Sequence, residues 1–398
     1  MSWRSNIPVL DLDPFDEDVL ERPYEYDAAL RDAGPLFWLD RYSVVGMARH
    51  NEVAAALKDW SSFGSERGVG LVDFAKEPPW RAPSLLLETD PPIHDQMRAV
   101  MNKIVSLSAL KNAADEWRAT ADRLVDALCQ RRGFDAVKDI AEVFPLQVFP
   151  DTIGIRRDGR QHLLPYAAAV FDAYGPKNRV WEGSQVGLVE ASEWVEAACR
   201  REHLQPDGWG EMVYRAADSG QCTHDEAHRL VRSFLSAGID TTVNGIGNLL
   251  LAFSENPEQW SRLRADPSLV KRAFDEALRW DSTVQIFFRT TTRPVEVAGT
   301  LIPEGQKVLL FLAAANRDTR RWEEADKFDI GRNSSGHVGF GFGLHQCLGQ
   351  MVARQEAQIL LEAMIPRISE FRPTSRPTRR LNNSLHALSS LPIEIETA

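Results

Sequence analysis

One short segment near the C-terminus constrains this chain more than any other. Phe340–Gly349 reads FGFGLHQCLG, so glycines surround a single cysteine, Cys347. Glycine allows sharp backbone turns and close approach to a flat partner. Apolar residues recur at helical spacing from Met351 to Met364, which predicts that Cys347 opens a helix. Because a thiol at a helix N-terminus faces N–H groups and the positive end of the dipole, this position favours the thiolate.

A lone thiolate in a glycine-walled loop suits one kind of metal site. Zinc needs three or four protein ligands, so a lone thiolate better suits the role of a single axial metal ligand. The F-x-x-G-x-x-x-C-x-G spacing from Phe340 to Gly349 resembles the haem-binding loop of the cytochrome P450 family, the haem-thiolate monooxygenases. The resemblance covers essentially the whole chain. It implies haem b as cofactor, Cys347 as the iron ligand, Phe340 and Gly341 beside the cofactor, and His345 on a propionate.

The rest of the sequence predicts a mainly α protein with small β-sheets. Apolar residues repeat every three or four positions from Leu110 to Leu128, and Thr223 with Glu226 forms a capping box that starts a helix predicted over 223–254. Short strands are predicted in a hairpin over 35–47, at 295–298 and at 307–311. No linker divides the chain, which predicts a single domain over 1–398. The resemblance implies the cytochrome P450 fold, with the long helix over the haem.

Two E-x-x-R patterns occur, and their positions distinguish them. An i,i+3 Glu–Arg pair is by itself a surface ion pair worth a few tenths of a kcal/mol. Glu226 and Arg229 lie at the start of the long helix, whereas Glu276 and Arg279 lie between that helix and the cysteine loop. The resemblance implies that the second pair is buried and structural, with Arg332 as its third member.

Basic residues outside the cysteine loop are further candidates for holding the cofactor. The Asp-Pro-Pro sequence at 90–92 predicts the start of a helix. His94 and Arg98 are four residues apart on this helix and share one face. The resemblance implies that His94, Arg98 and Arg289 hold the haem propionates.

The long helix contains a polar notch, Ala237-Gly-Ile-Asp-Thr-Thr. An interior glycine costs a helix about 1 kcal/mol relative to alanine, and a threonine can hydrogen-bond to the carbonyl one turn back. We therefore expect the helix to loosen locally at this point. The resemblance implies that Asp240 and Thr241 are the catalytic acid–alcohol pair, which relays protons to bound dioxygen.

A glycine- and proline-rich loop over 64–92 is expected to face the ligand. Ser233 and Ser236 lie on the long helix near Arg232, where hydroxyl groups and a guanidinium could bind a carboxylate. The loop is similar to that of bacterial cytochrome P450s that oxidise para-substituted benzoic acids. The similarity implies a set of substrate-binding residues, namely Arg81, Ser84, Ser233 and Ser236 for the carboxylate and Leu87, Phe171 and Phe287 for the ring.

The composition argues against two classes of protein. Lys and Arg total 46 against 57 Asp and Glu, a formal charge of −11, whereas nucleic-acid binders carry a basic surplus. The longest apolar run, at 308–315, is far shorter than the ~20 residues that span a bilayer. The N-terminus lacks the apolar core of a signal peptide. We therefore expect a cytoplasmic protein that binds neither nucleic acid nor membrane.

The resemblance implies a monooxygenase that inserts one oxygen atom of O2 into a C–H bond of a small aromatic carboxylic acid. O-demethylation or hydroxylation of 4-substituted benzoates such as 4-methoxybenzoate is the expected reaction. The chain is too short to contain its own reductase, so the resemblance implies an external iron–sulfur ferredoxin and an NAD(P)H-dependent reductase. Four alternatives stay open: a monooxygenase of another small hydrophobic substrate, a haem-thiolate peroxygenase, a haem-thiolate sensor, and a ligand-binding protein without haem.

Overall fold

Helices make up most of the structure, a computed structural model that describes residues 3–398. They are α1 (Glu17–Glu21), α2 (Asp27–Asp32), α3 (His50–Lys58), α4 (Ile93–Ile104), α5 (Leu107–Arg131), α6 (Val143–Ile153), α7 (Leu163–Asp172), α8 (Arg179–Ser184), α9 (Leu188–Ala198), α10 (Trp209–Asp218), α11 (His224–Ala237), α12 (Asp240–Glu255), α13 (Pro257–Ala265), α14 (Val270–Trp280), α15 (Leu312–Asn316) and α16 (Gln350–Met364). The apolar stripe predicted from Leu110 to Leu128 lies on α5 and is largely buried. Among residues 3–398, none of the helices combines the length and the apolar composition needed to cross a membrane.

Short strands form small sheets beside the helices, which confirms the predicted fold class. They are β1 (Phe37–Leu39), β2 (Val44–Met47), β3 (Phe63–Gly64), β4 (Gly133–Asp135), β5 (Ile286–Thr291), β6 (Val295–Val297), β7 (Thr300–Ile302), β8 (Lys307–Phe311), β9 (Ile368–Pro373), β10 (Thr378–Arg380), β11 (Ala387–Ser390) and β12 (Pro392–Thr397). The five-stranded sheet has the order β1–β2–β8–β5–β3, in which β2 and β8 are parallel and the other neighbours antiparallel. The predicted hairpin is β1 and β2, and the other two predicted strands are β6 and β8.

The sheet positions both loops that the sequence analysis singled out. Apolar residues of β2 and β8 pack with α3 in one buried cluster, and the helices form a larger core beside it. Phe342 of the cysteine loop packs against the sheet cluster. The backbone N–H of Phe288, on β5, donates to the carbonyl of Val69 in the 64–92 loop at 2.9 Å. Both loops are therefore attached to the same rigid element.

The long helix predicted over 223–254 is two helices, so the prediction of one continuous helix is wrong. The capping box of Thr223 and Glu226 starts α11 as expected, but α11 ends at Ala237 and α12 begins at Asp240. A Cβ atom at Gly238 would lie 2.5 Å from the ring of Phe149, so only glycine fits beside that ring. The loosening expected from glycine and threonine is thus a complete interruption of the helix.

A buried carboxylate holds the segment that leads into the cysteine loop. Glu276 and Arg279 of α14 are both 0% exposed, and two N–H groups of Arg279 donate to Glu276, each at 2.8 Å. Arg332 donates to the same carboxylate at 3.2 Å, which confirms it as the third member. Ser334 adds a hydrogen bond at 2.6 Å. In the other E-x-x-R pattern, Arg229 donates instead to a loop carbonyl.

We predict that Glu276→Gln lowers the free energy of unfolding by about 3 kcal/mol, because it leaves a buried guanidinium without its counter-charge. Denaturant unfolding followed by circular dichroism measures this change. The matched control is Glu226→Gln in the other E-x-x-R pattern, where glutamine also completes a capping box and the change stays below about 0.5 kcal/mol. Equal stability of the two variants would contradict the proposed role of the buried pair.

Candidate active site

The cysteine loop is a tight turn whose ends meet. The backbone N–H of Cys347 donates to the carbonyl of Phe340 at 2.8 Å. Gly341 and Gly343 have φ angles of +69° and +70°, in the left-handed region that favours glycine. A Cβ atom at Gly343 would also lie 2.8 Å from the Cα atom of Lys58, so α3 leaves no room for a side chain. The two glycines thus set the path of the backbone that presents Cys347.

Cys347 does not open the helix, because α16 begins only at Gln350 with Gly349 as its N-cap. Burial is the largest influence on the Cys347 thiol and raises its pKa. The N–H groups of Gly349 and Gln350 hydrogen-bond to the sulfur and act in the opposite direction, as the charge of Arg98 does, without overcoming burial. The helix start therefore favours the thiolate, as predicted, but burial outweighs it among the protein groups alone. A coordinated metal ion would supply a further positive charge that favours the thiolate.

Two basic side chains near this loop are buried with few protein partners. The Nε2 atom of His94 has no hydrogen-bond partner within residues 3–398, while its Nδ1 atom lies 3.1 Å from Asp95. Arg289 is 2% exposed and donates to the carbonyl of Phe288. Burial lowers the pKa of Arg289 to about 10, against the charge of Asp90. A buried imidazole nitrogen and a buried guanidinium fit an anionic group such as the propionates of a haem.

The other two predicted propionate ligands are engaged with the protein. Arg98 donates to the carbonyl of Gln346 at 2.8 Å and so supports the cysteine loop. The Nδ1 atom of His345 lies 3.1 Å from the carbonyl of Leu86, and its Nε2 atom lies 2.9 Å from the carboxylate of Asp90. His345 therefore links the cysteine loop to the 64–92 loop. A contact with a propionate would require its ring to release one of these two partners.

The predicted acid and alcohol lie at the start of α12, just after the helix interruption. The hydroxyl of Thr241 donates to the carbonyl of Ala237 at 2.7 Å, which is the predicted bond to the preceding turn. Asp240 is 1% exposed. Arg380 donates to both of its carboxylate oxygens, at 2.9 and 3.0 Å, and Asn244 donates to one of them at 2.9 Å.

Arg380 is a residue that the sequence analysis missed. It lies on β10, far along the chain from Asp240, and no local pattern in the sequence connects the two. Because Arg380 donates to both carboxylate oxygens of Asp240, it fixes the resting position of the acid. Only the path of the C-terminal strands brings Arg380 next to α12.

The substrate candidates of the 64–92 loop already form a local network. Arg81 lies 3.1 Å from the carboxylate of Glu88, and its Nε atom is buried without a hydrogen-bond partner in the described part of the chain. Ser84 accepts hydrogen bonds from the N–H groups of Leu86 and Leu87, at 3.3 and 3.2 Å. The hydroxyl of Ser84 thus stabilises a turn, and Glu88 is a partner of Arg81 that the sequence analysis did not consider.

The loop is attached to α11 through two arginines. Arg232 donates to the carbonyl of Ala82 at 2.8 Å, and Arg229 donates to that of Pro83 at 2.7 Å. The predicted serines are close by on the same helix. Their hydroxyls donate to carbonyls of α11 itself, Ser233 at 3.0 Å and Ser236 at 3.4 Å. The fold therefore brings the two predicted halves of the carboxylate site to neighbouring elements.

Three aromatic rings form a continuous row beside this region. Tyr174 lies between the two predicted ring contacts, 5.5 Å from Phe171 and 5.8 Å from Phe287 between ring centroids. Leu87 and Phe287 pack against the same core. Tyr174 was not among the predicted substrate residues, although its hydroxyl interacts with the side chain of Arg81. It follows Phe171 by three residues, just after the end of α7, and this spacing could have suggested that the two rings lie close together.

Known proteins with similar sequences and structures agree on one family. Residues 210–396 match the family model described as Cytochrome P450. The chain is 48% identical over 395 residues to "Cytochrome p450 CYP199A2" of Rhodopseudomonas palustris, which covers 99% of this chain and 96% of that protein. This chain belongs to the cytochrome P450 family. It is also 31% identical to Cytochrome P450 107B1 of Saccharopolyspora erythraea, over 87% of this chain and 88% of the relative.

Solved cytochrome P450 structures share the whole architecture. The structure of "cytochrome P450 CREJ in complex with (4-ethylphenyl) dihydrogen phosphate" matches with a TM-score of 0.87 and 26% identity, over 97% of this chain and 99% of that chain. The structure of CYP109Q5 from Chondromyces apiculatus matches with a TM-score of 0.80 and 28% identity, over 97% and 98%. This cytochrome P450 is a monooxygenase with haem b as its cofactor. The buried His94 and Arg289 and the half-buried Cys347 fit that group.

We predict that Cys347→Ser abolishes the strongly red-shifted Soret band of the reduced, carbon monoxide-bound protein, because that band reports thiolate ligation. Absorption spectra before and after adding carbon monoxide to the reduced protein test this. Cys222→Ser, which changes a half-buried thiol elsewhere in the chain, is the control and retains the band. A Cys347→Ser protein with the same band and unimpaired turnover would disprove the assignment of the iron ligand.

Proposed function

We propose that this cytochrome P450 oxidises a small aromatic carboxylic acid, with O-demethylation of 4-methoxybenzoate or hydroxylation of a related 4-substituted benzoate as its reaction. The observation that carries the proposal is the buried Nε atom of Arg81, an N–H donor without a protein partner among the described residues. Arg81 lies beside the row of aromatic rings formed by Phe171, Tyr174 and Phe287. The charged donor would bind the carboxylate of a benzoate, and the rings would contact its aromatic ring.

The charges around Arg81 favour an anionic ligand. Arg81 is paired with Glu88 and Arg232 with Glu196, whereas Arg229 donates to a backbone carbonyl and has a second buried N–H without a partner in residues 3–398. Arg81 and Arg229 thus each have a buried Nε–H group without a hydrogen-bond partner among the described residues. Such donors are costly unless a ligand accepts from them. A substrate carboxylate would accept from these groups.

The aromatic row suits the ring of the substrate. Aromatic pairs favour edge-to-face or offset contacts with centroids 4.5–7 Å apart. Phe171, Tyr174 and Phe287 already use such spacings among themselves, and Leu87 lies at the same boundary. A substrate ring bound beside Phe287 would therefore leave water and make apolar contacts with these side chains. The carboxylate end would then point towards Arg81, and the para substituent away from it.

The residues of α12 supply the proton chemistry of the proposed reaction. When bound, haem b activates dioxygen for insertion of one oxygen atom into a C–H bond. The Thr241 hydroxyl can turn from the carbonyl of Ala237 to donate a hydrogen bond, and the buried carboxylate of Asp240 can pass on a proton once it leaves Arg380. Hydroxylation of a methoxy carbon gives a hemiacetal. Its C–O bond then breaks with proton transfer to the phenolate oxygen, which yields 4-hydroxybenzoate and formaldehyde.

The two electrons for this reaction come from outside the chain in our proposal. An NAD(P)H-dependent reductase and an iron–sulfur ferredoxin deliver them one at a time. Dioxygen contributes one atom to the substrate and the other to water. This arrangement distinguishes the proposed enzyme from a peroxygenase, which takes both its oxygen and its oxidising equivalents from peroxide, and from a sensor that oxidises no substrate.

We predict that 4-methoxybenzoate shifts the Soret band of the haem-loaded protein and binds more tightly than its neutral methyl ester. Loss of a hydrogen bond to a charged group costs about 1.5–3 kcal/mol, so Arg81→Leu reduces the preference for the acid by roughly 10- to 100-fold. The ratio of the two dissociation constants, from optical titrations, measures the preference and controls for folding. Arg118→Leu, a substitution of a half-exposed arginine on α5, leaves the ratio unchanged.

Three further ligands test the substrate class. A 3-methoxybenzoate tests the para position, 4-ethylphenyl phosphate tests another aromatic anion, and an uncharged hydrophobic ligand tests the wider alternative. A spectral shift with none of the benzoates would disprove the proposed substrate and leave the enzyme class intact. A shift with the uncharged ligand alone would favour a monooxygenase of another small hydrophobic substrate.

We predict that Thr241→Ala lowers the amount of product formed per NAD(P)H by about tenfold, because it removes the donor that assists oxygen activation. Product and NAD(P)H are measured together with the ferredoxin and reductase supplied in excess. Thr242→Ala is the matched control, since the Thr242 hydroxyl also donates to a carbonyl one turn back, that of Gly238 at 3.1 Å, but is buried. Unchanged coupling in Thr241→Ala would contradict the catalytic role of this residue.

A further inference from the structure

Lys307, the first residue of β8, is a buried lysine that the proposed reaction does not use. Its side chain lies in the core, and the whole residue is 6% exposed. The Nζ atom donates to three backbone carbonyls of the 64–92 loop, those of Arg67 at 3.1 Å, Gly68 at 2.7 Å and Gly70 at 2.9 Å. An ammonium group has three N–H donors. All of them are therefore used on one short segment of the loop.

The ammonium group of Lys307 forms hydrogen bonds with these carbonyls and not with a carboxylate. The nearest carboxylate, that of Asp73, is bonded by Arg67 through its Nε atom at 2.9 Å. Burial lowers the pKa of Lys307 to about 7; the charge of Asp73 opposes this effect, and those of Arg67 and Arg289 add to it. Glu88 lies further along the same loop and also favours the charged form. An ammonium held without a carboxylate in hydrogen-bond contact depends on carbonyl dipoles for its stabilisation.

The segment that Lys307 holds touches the aromatic row. Gly68 has a φ angle of +90°, which fixes a turn. The N–H of Leu71 donates to the carbonyl of Tyr174 at 2.8 Å, and a Cβ atom at Gly70 would lie 2.7 Å from the Cα atom of Tyr174. On the other side, Val69 accepts a hydrogen bond from β5, the strand that carries Phe287. The segment thus lies between the backbone of Tyr174 and the strand that carries Phe287.

We propose that Lys307 is a positioning residue for substrate binding: its ammonium group gathers the carbonyls of Arg67, Gly68 and Gly70 and thereby holds the 64–92 loop against Tyr174 and β5. This inference rests on the proposed function, in which those rings receive the substrate. Without the three donors, buried carbonyls would be left unpaired, which is costly. The segment would then move outwards towards water, and the rings would lose the backbone that sets their spacing.

The test replaces the donors and keeps the volume. Lys307→Met removes every N–H donor from a side chain of similar length, and Lys327→Met, which alters a mostly exposed surface lysine, is the matched control. Hydrogen exchange of the amides over 66–74 is measured on the haem-loaded proteins, with 4-methoxybenzoate affinity from optical titration. We expect exchange at Leu71 to be at least tenfold faster in Lys307→Met and affinity to fall about tenfold, while Lys327→Met matches the unaltered protein.

The two readouts separate this proposal from the proposed function. If a correctly loaded Lys307→Met protein shows unchanged exchange over 66–74, or faster exchange with unchanged affinity for a benzoate that the unaltered protein binds, the positioning role is disproved. If no benzoate binds the unaltered protein, the proposed substrate is disproved, and exchange still decides whether Lys307 holds the loop. Should Lys307→Met fail to take up haem, Lys307→Gln, which keeps two N–H donors, undergoes the same measurements and is expected to show a smaller acceleration.

Discussion

The rest of this structure depends on the hydrogen bonds that converge on the buried carboxylate of Glu276. It receives hydrogen bonds from Arg279 on its own helix and from Arg332 and Ser334 in the segment that leads to the cysteine loop. Because all these donors converge on one charge in the interior, the segment has a single low-energy path. That path brings Phe340 to the start of the loop, and the loop in turn presents Cys347.

A second buried charge organises the opposite side of the site. The helix is interrupted between α11 and α12, directly before Asp240 and Thr241. Arg380, on a strand near the C-terminus, donates hydrogen bonds to the carboxylate of Asp240. The pair with Arg380 holds the carboxylate of Asp240 in place, and the carboxylate must leave that partner to deliver a proton in the proposed reaction. The ion pair therefore links the C-terminal strands to the start of α12.

The proposed substrate site depends on contacts between the 64–92 loop and three other elements. Arg229 and Arg232 attach the loop to α11, His345 attaches it to the cysteine loop, and Lys307 attaches it to the sheet. Each contact joins a side chain to loop backbone or to a loop carboxylate. Such contacts hold the course of the loop through its backbone and its carboxylates. A long, glycine-rich loop can thus keep a defined position beside the rings.

Much of the fold and the cofactor loop could be predicted from the sequence, because the rules involved act over one or two turns of chain. The capping box at Thr223, the stripe on α5 and the glycines around Cys347 are of this kind, and they determined the element types and the family. The tertiary structure alone decided which charges meet, since burial and counter-charge depend on segments far apart in the chain. At Cys347, burial outweighs the effect of the helix start. Asp240 finds its partner Arg380 only because the fold brings β10 to α12.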